Sequence, residues 1–247
     1  MLSEIQSDLV EIVLVSPRNP LNIGAVARSM ANFGLRRLCV VAPYAPTWRE
    51  ARSAVGAPQL LAEAREVATV GEAVADCQLV IGTGSLTYRK PEQRILALPE
   101  LGASLWPVLR SGGRVALLLG PEKHGLTRED LSWCHLFTVI PTHPGQPSMN
   151  LGQAAAVCLY ELFARQQDDA ASACAPTEDR HIAPSDQLDR LAGIIEETMQ
   201  AAGYSPAMMQ AANQHDLRLL LRRLAPDAPD ARRMMGLFRR ILWKLRR

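Results

Sequence analysis

Four short stretches of this chain carry unusual side-chain chemistry: "SPRNPLNIGAVAR" (16–28), "GTGS" (82–85), "LGPEKHGLT" (119–127) and "IPTHPGQPSMNLGQAAAVCLYEL" (140–162). The third has the GxxxxG spacing of a phosphate-cradling loop. Leu126-Thr127 stand where Lys and Ser/Thr must follow, and Lys123 is misplaced to substitute, so nucleotide hydrolysis on a P-loop is excluded. "GTGSLT" holds only the first two glycines of a dinucleotide fingerprint, with no long helix behind it. The fourth stretch crowds Pro141, Pro144 and Pro147 directly before an alanine-rich helix. Proline fixes φ and donates no hydrogen bond, so this loop is stiff. Five scattered cysteines, odd in number and without a CxxC pair, point to reduced, mostly buried thiols. Cys134-His135 is the only close Cys/His pair, and no metal site is expected.

These stretches need elements to position them. Residues 9–16, "LVEIVLVS", form an apolar, β-branched run expected as a buried strand. "IGAVARSMANFG" has helical spacing at Ile23, Val26, Met30 and Phe33, with Gly34 placed to stop it. "RLCVVA", "QLVIGTG", "RVALLLG" and "LFTVI" are further strands, and residues 47–76 hold short helices around one poorer strand. "LPELGASLWPVLRSGG" is a helix that Pro107 must kink or shift, and "TREDLSWC" is a helix capped by Thr127. Strands that are continuous apolar runs, alternating with helices, imply an α/β fold with a parallel sheet covered on both faces. Ligands of such sheets sit at the carboxyl ends of the strands, where the four stretches fall.

Taken in order, "NIGAVAR", "LGPEKHGL" and "IPTHPGQPSMNLGQAAAVCLYEL" resemble the three motifs of the SPOUT RNA methyltransferases, in the branch that methylates ribose 2′-hydroxyls. The resemblance covers residues 9–165. It implies a parallel sheet ending in a C-terminal trefoil knot, a homodimer, and S-adenosylmethionine as methyl donor. It also implies that the stiff loop bends around the donor while the following helix helps form the dimer interface. The cofactor pocket is expected from Thr83, Gly84, Ser85, Gly120, Ile140, Pro141, Pro147, Ser148, Met149 and Leu151. Met149 replaces the family's usual Leu, a volume-conserving departure. Arg28 matches the family's essential arginine, which reaches the pocket across the dimer interface. Guanidinium keeps its proton, so Arg28 is expected to grip a phosphate and stabilise the incipient alkoxide while Ser148 or a phosphate oxygen takes the proton. Asn22, Glu122 and Asn150 match motif residues that support the loops and the reaction centre. Each has a plainer alternative: Asn22 and Asn150 as helix caps, Glu122 as a cap for the turn around Lys123.

The formal net charge of +2 hides an asymmetry. Residues 217–247 hold ten Lys/Arg against two Asp, a net of +8, leaving −6 for the rest. Such a split points to a polyanion-binding extension. Residues 1–165 form the expected catalytic domain, 166–186 a small, polar, Pro-punctuated linker, and 187–247 a basic helical extension. Three helices can be drawn there. Leu188, Leu191, Ile194, Ile195 and Met199 stripe the first; Ser205-Pro206 opens the second, with Leu217, Leu220, Leu221 and Leu224 on its apolar side. Asp230 begins the third, with Met234, Leu237, Phe238, Ile241, Leu242 and Leu245 inward. An extension of this kind is similar to the TrmJ type, which methylates position 32 of the transfer RNA anticodon loop. Transfer RNA is therefore the expected partner, with Arg18, Arg222, Arg223, Arg232, Arg233, Arg239, Arg240 and Lys244 on its phosphates; Arg218, Arg246 and Arg247 belong to the same basic set. Trp243 either stacks on a base or packs into the helical unit. Alternatives are another transfer RNA site, ribosomal RNA, or a non-catalytic RNA-binding protein of the same fold. No run approaches the ~18 apolar residues of a membrane span, and the start lacks signal-peptide features, so the expected location is cytoplasmic.

Overall fold

The structure is a computed structural model describing residues 4–87, 90–165, 182–204 and 207–247. After a short helix α1 (Glu4–Ser7), the chain alternates strands and helices: β1 (Val10–Val15), α2 (Pro20–Asn32), β2 (Arg37–Val41), α3 (Pro58–Glu63), β3 (Arg65–Val67), α4 (Val70–Val74) and β4 (Leu79–Thr83). Then come β5 (Arg94–Ala97), α5 (Gly102–Arg110), β6 (Val115–Leu119), α6 (Arg128–Ser132), β7 (Leu136–Val139) and α7 (Leu151–Leu159), which runs into a wider turn over Tyr160–Arg165. Three helices follow: α8 (Ser185–Ala201), α9 (Gln210–Leu224) and α10 (Ala228–Leu245).

The seven strands form one sheet in the order β3-β2-β1-β6-β4-β7-β5, and every pairing is parallel. Alternate side chains enter opposite layers. Ile12, Leu14, Leu38, Val40, Leu117 and Leu119 pack with α2, α5 and α7. Val13, Val15, Cys39, Val41, Ala116 and Leu118 pack under α4 and α6. The cysteines Cys39, Cys77, Cys134 and Cys158 are free and buried in these layers, and burial pushes Cys134 and Cys158 up to about 12. Cys174 lies outside the described residues.

Several local expectations are corrected. The first long helix starts at Pro20, not Ile23, because Asn19 accepts the Leu21 amide and Pro20 supplies the preset φ of a first helical turn. The edge strand β5 is absent from the sequence reading: only Leu96 of "RILA" is buried, too little signal to notice. Pro107 does lie inside α5; a single 3₁₀ turn at Leu98–Glu100 precedes the helix and shifts its start to Gly102. Helix α8 begins at Ser185, within the expected linker, whose earlier part lies outside the described residues, as does Ser205-Pro206. Helix α10 begins at Ala228, because Asp227 rather than Asp230 caps it, accepting the Asp230 amide at 2.7 Å.

The three C-terminal helices share a core of Leu188, Leu191, Ala192, Leu221, Ala231 and Met235. Most of the expected stripe residues pack within the unit, where α8 meets both α9 and α10. Leu220, Leu224, Leu237, Ile241 and Leu245 are exposed. The Ser185 amide donates to the Cys77 carbonyl at 3.0 Å and the Asp186 amide to Ala75 at 2.9 Å. Arg218 pairs with Asp189 and Glu129 and lies 4.2 Å from the Trp133 ring centroid. Arg222 donates from Nε to the Trp133 carbonyl at 2.9 Å and is 2% exposed.

Candidate functional site

The loops after β4, β6 and β7 enclose a cavity of about 470 Å³. Of the expected cofactor residues, Thr83, Gly84, Ser85, Gly120, Ile140, Pro147, Ser148, Met149 and Leu151 line it. Pro141 is not in the lining. The sequence reading missed Thr87, Lys123, His124, Thr142 and Ala154, which arrive with the same loops. Thr83 ends β4 with its hydroxyl donating to the Leu118 carbonyl at 2.9 Å, which ties two loop bases together. A Cβ on Gly120 would fall 2.2 Å from the Leu126 amide nitrogen, so only glycine lets 121–126 fold back over the strand end. The stiff loop closes on itself where the Thr142 hydroxyl donates to the Pro147 carbonyl at 3.3 Å.

Glu122 organises one wall. Its carboxylate accepts the backbone amides of Arg18 (3.0 Å) and Asn19 (3.1 Å) and the side-chain amide of Asn22 (2.9 Å). Burial alone would raise its pKa; the Asn22 and backbone donors outweigh it and hold the carboxyl below its ordinary range. Asn22 in turn accepts from Asn150 Nδ2 at 2.9 Å, and Asn150 Oδ1 caps α7 through the Gly152 and Gln153 amides. Asn150 thus caps α7 and at the same time hydrogen-bonds Asn22. Asn22 is not the cap of α2, because Asn19 is. The loop after β1, the loop after β6 and the start of α7 are joined through one chain of hydrogen bonds. Helices α2 and α7 also pack closely, since a Cβ on Gly152 would lie 2.7 Å from Ala25 Cβ.

Arg28 is exposed on α2 and does not line the cavity of its own chain. Leu21, Val157 and Tyr160 are exposed on α2, α7 and the turn that extends α7. Among the basic residues, Arg18, Arg223, Arg232, Arg233, Arg239, Arg240 and Lys244 are exposed, whereas Arg222 is a correction. It is buried against Trp133, and burial lowers its pKa to about 10, so it mounts the extension on the body rather than meeting solvent phosphates. Of the two alternatives for Trp243, packing into the helical unit does not hold: it is 41% exposed, with the guanidinium carbons of Arg240 and Arg247 4.3 and 3.7 Å from its ring centroid.

Two trios of possible metal donors come together among the described residues, Glu11/Asp76/Cys77 and Glu92/His215/Asp216. Guanidinium groups already hold Glu11, Asp76 and Glu92, which opposes a dication there. A wider cavity of about 850 Å³ separates the body from α8 and α9, and its cations Arg190 and Arg218 are paired with Asp186, Asp189 and Glu129. Among the described residues, no helix is long and apolar enough to cross a membrane.

Residues 9–160 match the SpoU rRNA Methylase family. The chain is 36% identical over 153 residues to an uncharacterized tRNA/rRNA methyltransferase of Haemophilus influenzae, a match spanning 62% of each protein. It is 31% identical to the tRNA (cytidine/uridine-2'-O-)-methyltransferase TrmJ of Salmonella typhimurium, covering 92% of this chain and 94% of that one. The crystal structure of TrmJ from Z. mobilis ZM4 superposes with a TM-score of 0.79 at 30% identity, covering 94% of this chain and 98% of the other.

Proposed function

Because the chain belongs to the SpoU rRNA methylase family, we propose that it transfers a methyl group from S-adenosylmethionine to a ribose 2′-hydroxyl of transfer RNA, at position 32 of the anticodon loop. The observation that carries this reading is the cavity at the ends of β4, β6 and β7, whose lining residue Glu122 is held by the Asn22–Asn150 hydrogen bonds. Relatives named tRNA (cytidine/uridine-2'-O-)-methyltransferase, aligned over nearly the full chain, support the substrate.

The site suits the donor. Its volume is in the range of small-molecule pockets, and it mixes the apolar Leu119, Ile140, Met149 and Leu151 with the polar Thr83, Ser85 and Ser148. When bound, S-adenosylmethionine supplies an electrophilic methyl on a sulfonium. The chain's own task is alignment: holding the reacting atoms at roughly 3 Å in line contributes several kcal/mol. A stiff 140–150 loop fixes its backbone groups before binding, which limits the ordering cost. Ser148 is the side-chain candidate to take the hydroxyl proton. Arg28, which is exposed on α2, is assigned to a partner subunit's cavity in a homodimer formed through α2 and α7. There its fork grips the phosphate beside the target ribose and offsets the developing negative charge. Exposed Leu21 on α2, Val157 on α7 and Tyr160 on the turn that extends it support that interface. The trefoil knot is inferred from the family likeness. Residues 1–165 are assigned to methyl transfer and the basic face of α10 to phosphate contacts.

The test is transfer of labelled methyl from S-adenosylmethionine into bulk transfer RNA, followed by mapping of the modified nucleotide. Label at the ribose of position 32 is expected. Label on a base would overturn the reaction, and label at another ribose the site.

A further inference from the structure

One exposed pair beside the cavity has no part in the reaction as described. Tyr44, just after β2, is 73% exposed, and the Arg18 guanidinium carbon lies 5.1 Å from its ring centroid. Both are tied to the site through the backbone. The Arg18 amide donates to Glu122 Oε2 at 3.0 Å, and the Tyr44 amide donates to the Pro17 carbonyl at 3.1 Å. The two loops are turned onto one another by residues in the left-handed region, Ser16 (φ 45°) and Ala42 (φ 43°), directly after β1 and β2. Among the described residues, no acidic side chain is ion-paired with Arg18.

A large ring left in solvent under one exposed cation contributes little to folding. It does offer a flat π-face and a planar fork side by side. Unpaired nucleotides are recognised by such surfaces, their bases stacking on aromatic rings and their phosphates meeting arginine, whereas bases in a duplex have no free face. Resting on the RNA-methylation reading above, we propose that Tyr44 and Arg18 form a clamp for an unpaired nucleotide next to the target ribose. The Tyr44 ring stacks on the base, and the Arg18 guanidinium holds the neighbouring phosphate. The clamp makes the enzyme select looped over helical RNA, independently of the basic face on α10.

The experiment compares wild type, Tyr44→Ala, Tyr44→Trp and Arg18→Ala. It measures methyl transfer into bulk transfer RNA and binding of two RNA probes, a hairpin with an unpaired loop and the same sequence closed as a duplex. Tyr44→Ala is expected to raise KM for transfer RNA roughly tenfold, in the range that loss of one stacked base produces. It should weaken hairpin binding comparably, leaving duplex binding, S-adenosylmethionine affinity and sedimentation unchanged. Tyr44→Trp should retain wild-type behaviour, and Arg18→Ala should flatten the salt dependence of hairpin binding by about one phosphate contact. Wild-type hairpin binding by Tyr44→Ala, equal losses on hairpin and duplex, or a change in self-association would each overturn the clamp while leaving the methylation reading intact. A wild-type protein that methylates no RNA would overturn both.

Discussion

Glu122 accepts three donors from the 18–22 segment, and its carboxylate is useful there only while charged. A carboxyl with a depressed pKa in the folded site contributes stability that is present above the ordinary range, about 4.3, and lost as pH falls through the folded value. S-adenosylmethionine affinity is therefore expected to hold from pH 7 down to about 4.3 and to weaken only as pH falls further, through the depressed folded value. Glu122→Gln should bind about tenfold less tightly at pH 7 and lose that acid dependence, because one of its two terminal atoms becomes a donor facing donors. Calorimetry across this pH range decides it; a steep acid loss retained in Glu122→Gln would assign the dependence elsewhere. Arg28→Lys keeps the charge and loses the planar fork, so methyl transfer should fall at least tenfold with cofactor binding unchanged. Near-normal turnover would rule out bidentate phosphate gripping. The importance of Asn22, Glu122 and Asn150 could be taken from motif likeness, but not their mutual bonds. Those link positions 100 and 128 residues apart, and no local pattern encodes such a pairing.

Strands β1, β2, β4, β6 and β7 were readable as elements because each is a short apolar run buried along nearly its whole length, as in β1. Strand β5 was not, since an edge strand buried on one side leaves too little pattern. The helices after residue 185 were readable from their stripes, but not their direction of packing. A wide apolar face says that a helix packs, not against what, and Leu224 and Leu237 remain exposed at 54% and 59%. What chooses the packing is Trp133, whose carbonyl takes Arg222 and whose ring carries Arg218. Arg222→Met preserves the aliphatic stem and leaves that carbonyl unpaired, at a cost of about 1–3 kcal/mol. A thermal midpoint several degrees lower is expected. An unchanged midpoint would show that the ion pairs of Arg218 suffice.

Across the chain, the split between a +8 end and a −6 remainder acquires a shape: the exposed arginines Arg232, Arg233, Arg239 and Arg240 all ride on α10. Replacing these four by Gln should weaken transfer RNA binding and shrink its log–log salt slope by about 3, close to 0.7–0.9 per phosphate lost. S-adenosylmethionine binding should not change. Loss of binding with an unaltered salt slope would mean that these arginines act through folding rather than through phosphates. The charge count was visible in the sequence, but its geometry was not, because Arg218 and Arg222 look identical to their neighbours until burial separates them. That separation has a consequence of its own. With Arg222 locked under Trp133 and the Ser185 and Asp186 amides pinned to the body, the arginine face stands at a set span from the cavity at the ends of β4, β6 and β7. On the proposed function, the extension is expected to work as a calliper: a folded RNA gripped at one end presents whichever nucleotide lies one span away, and loosening the Trp133 joint should scatter the mark over neighbouring riboses.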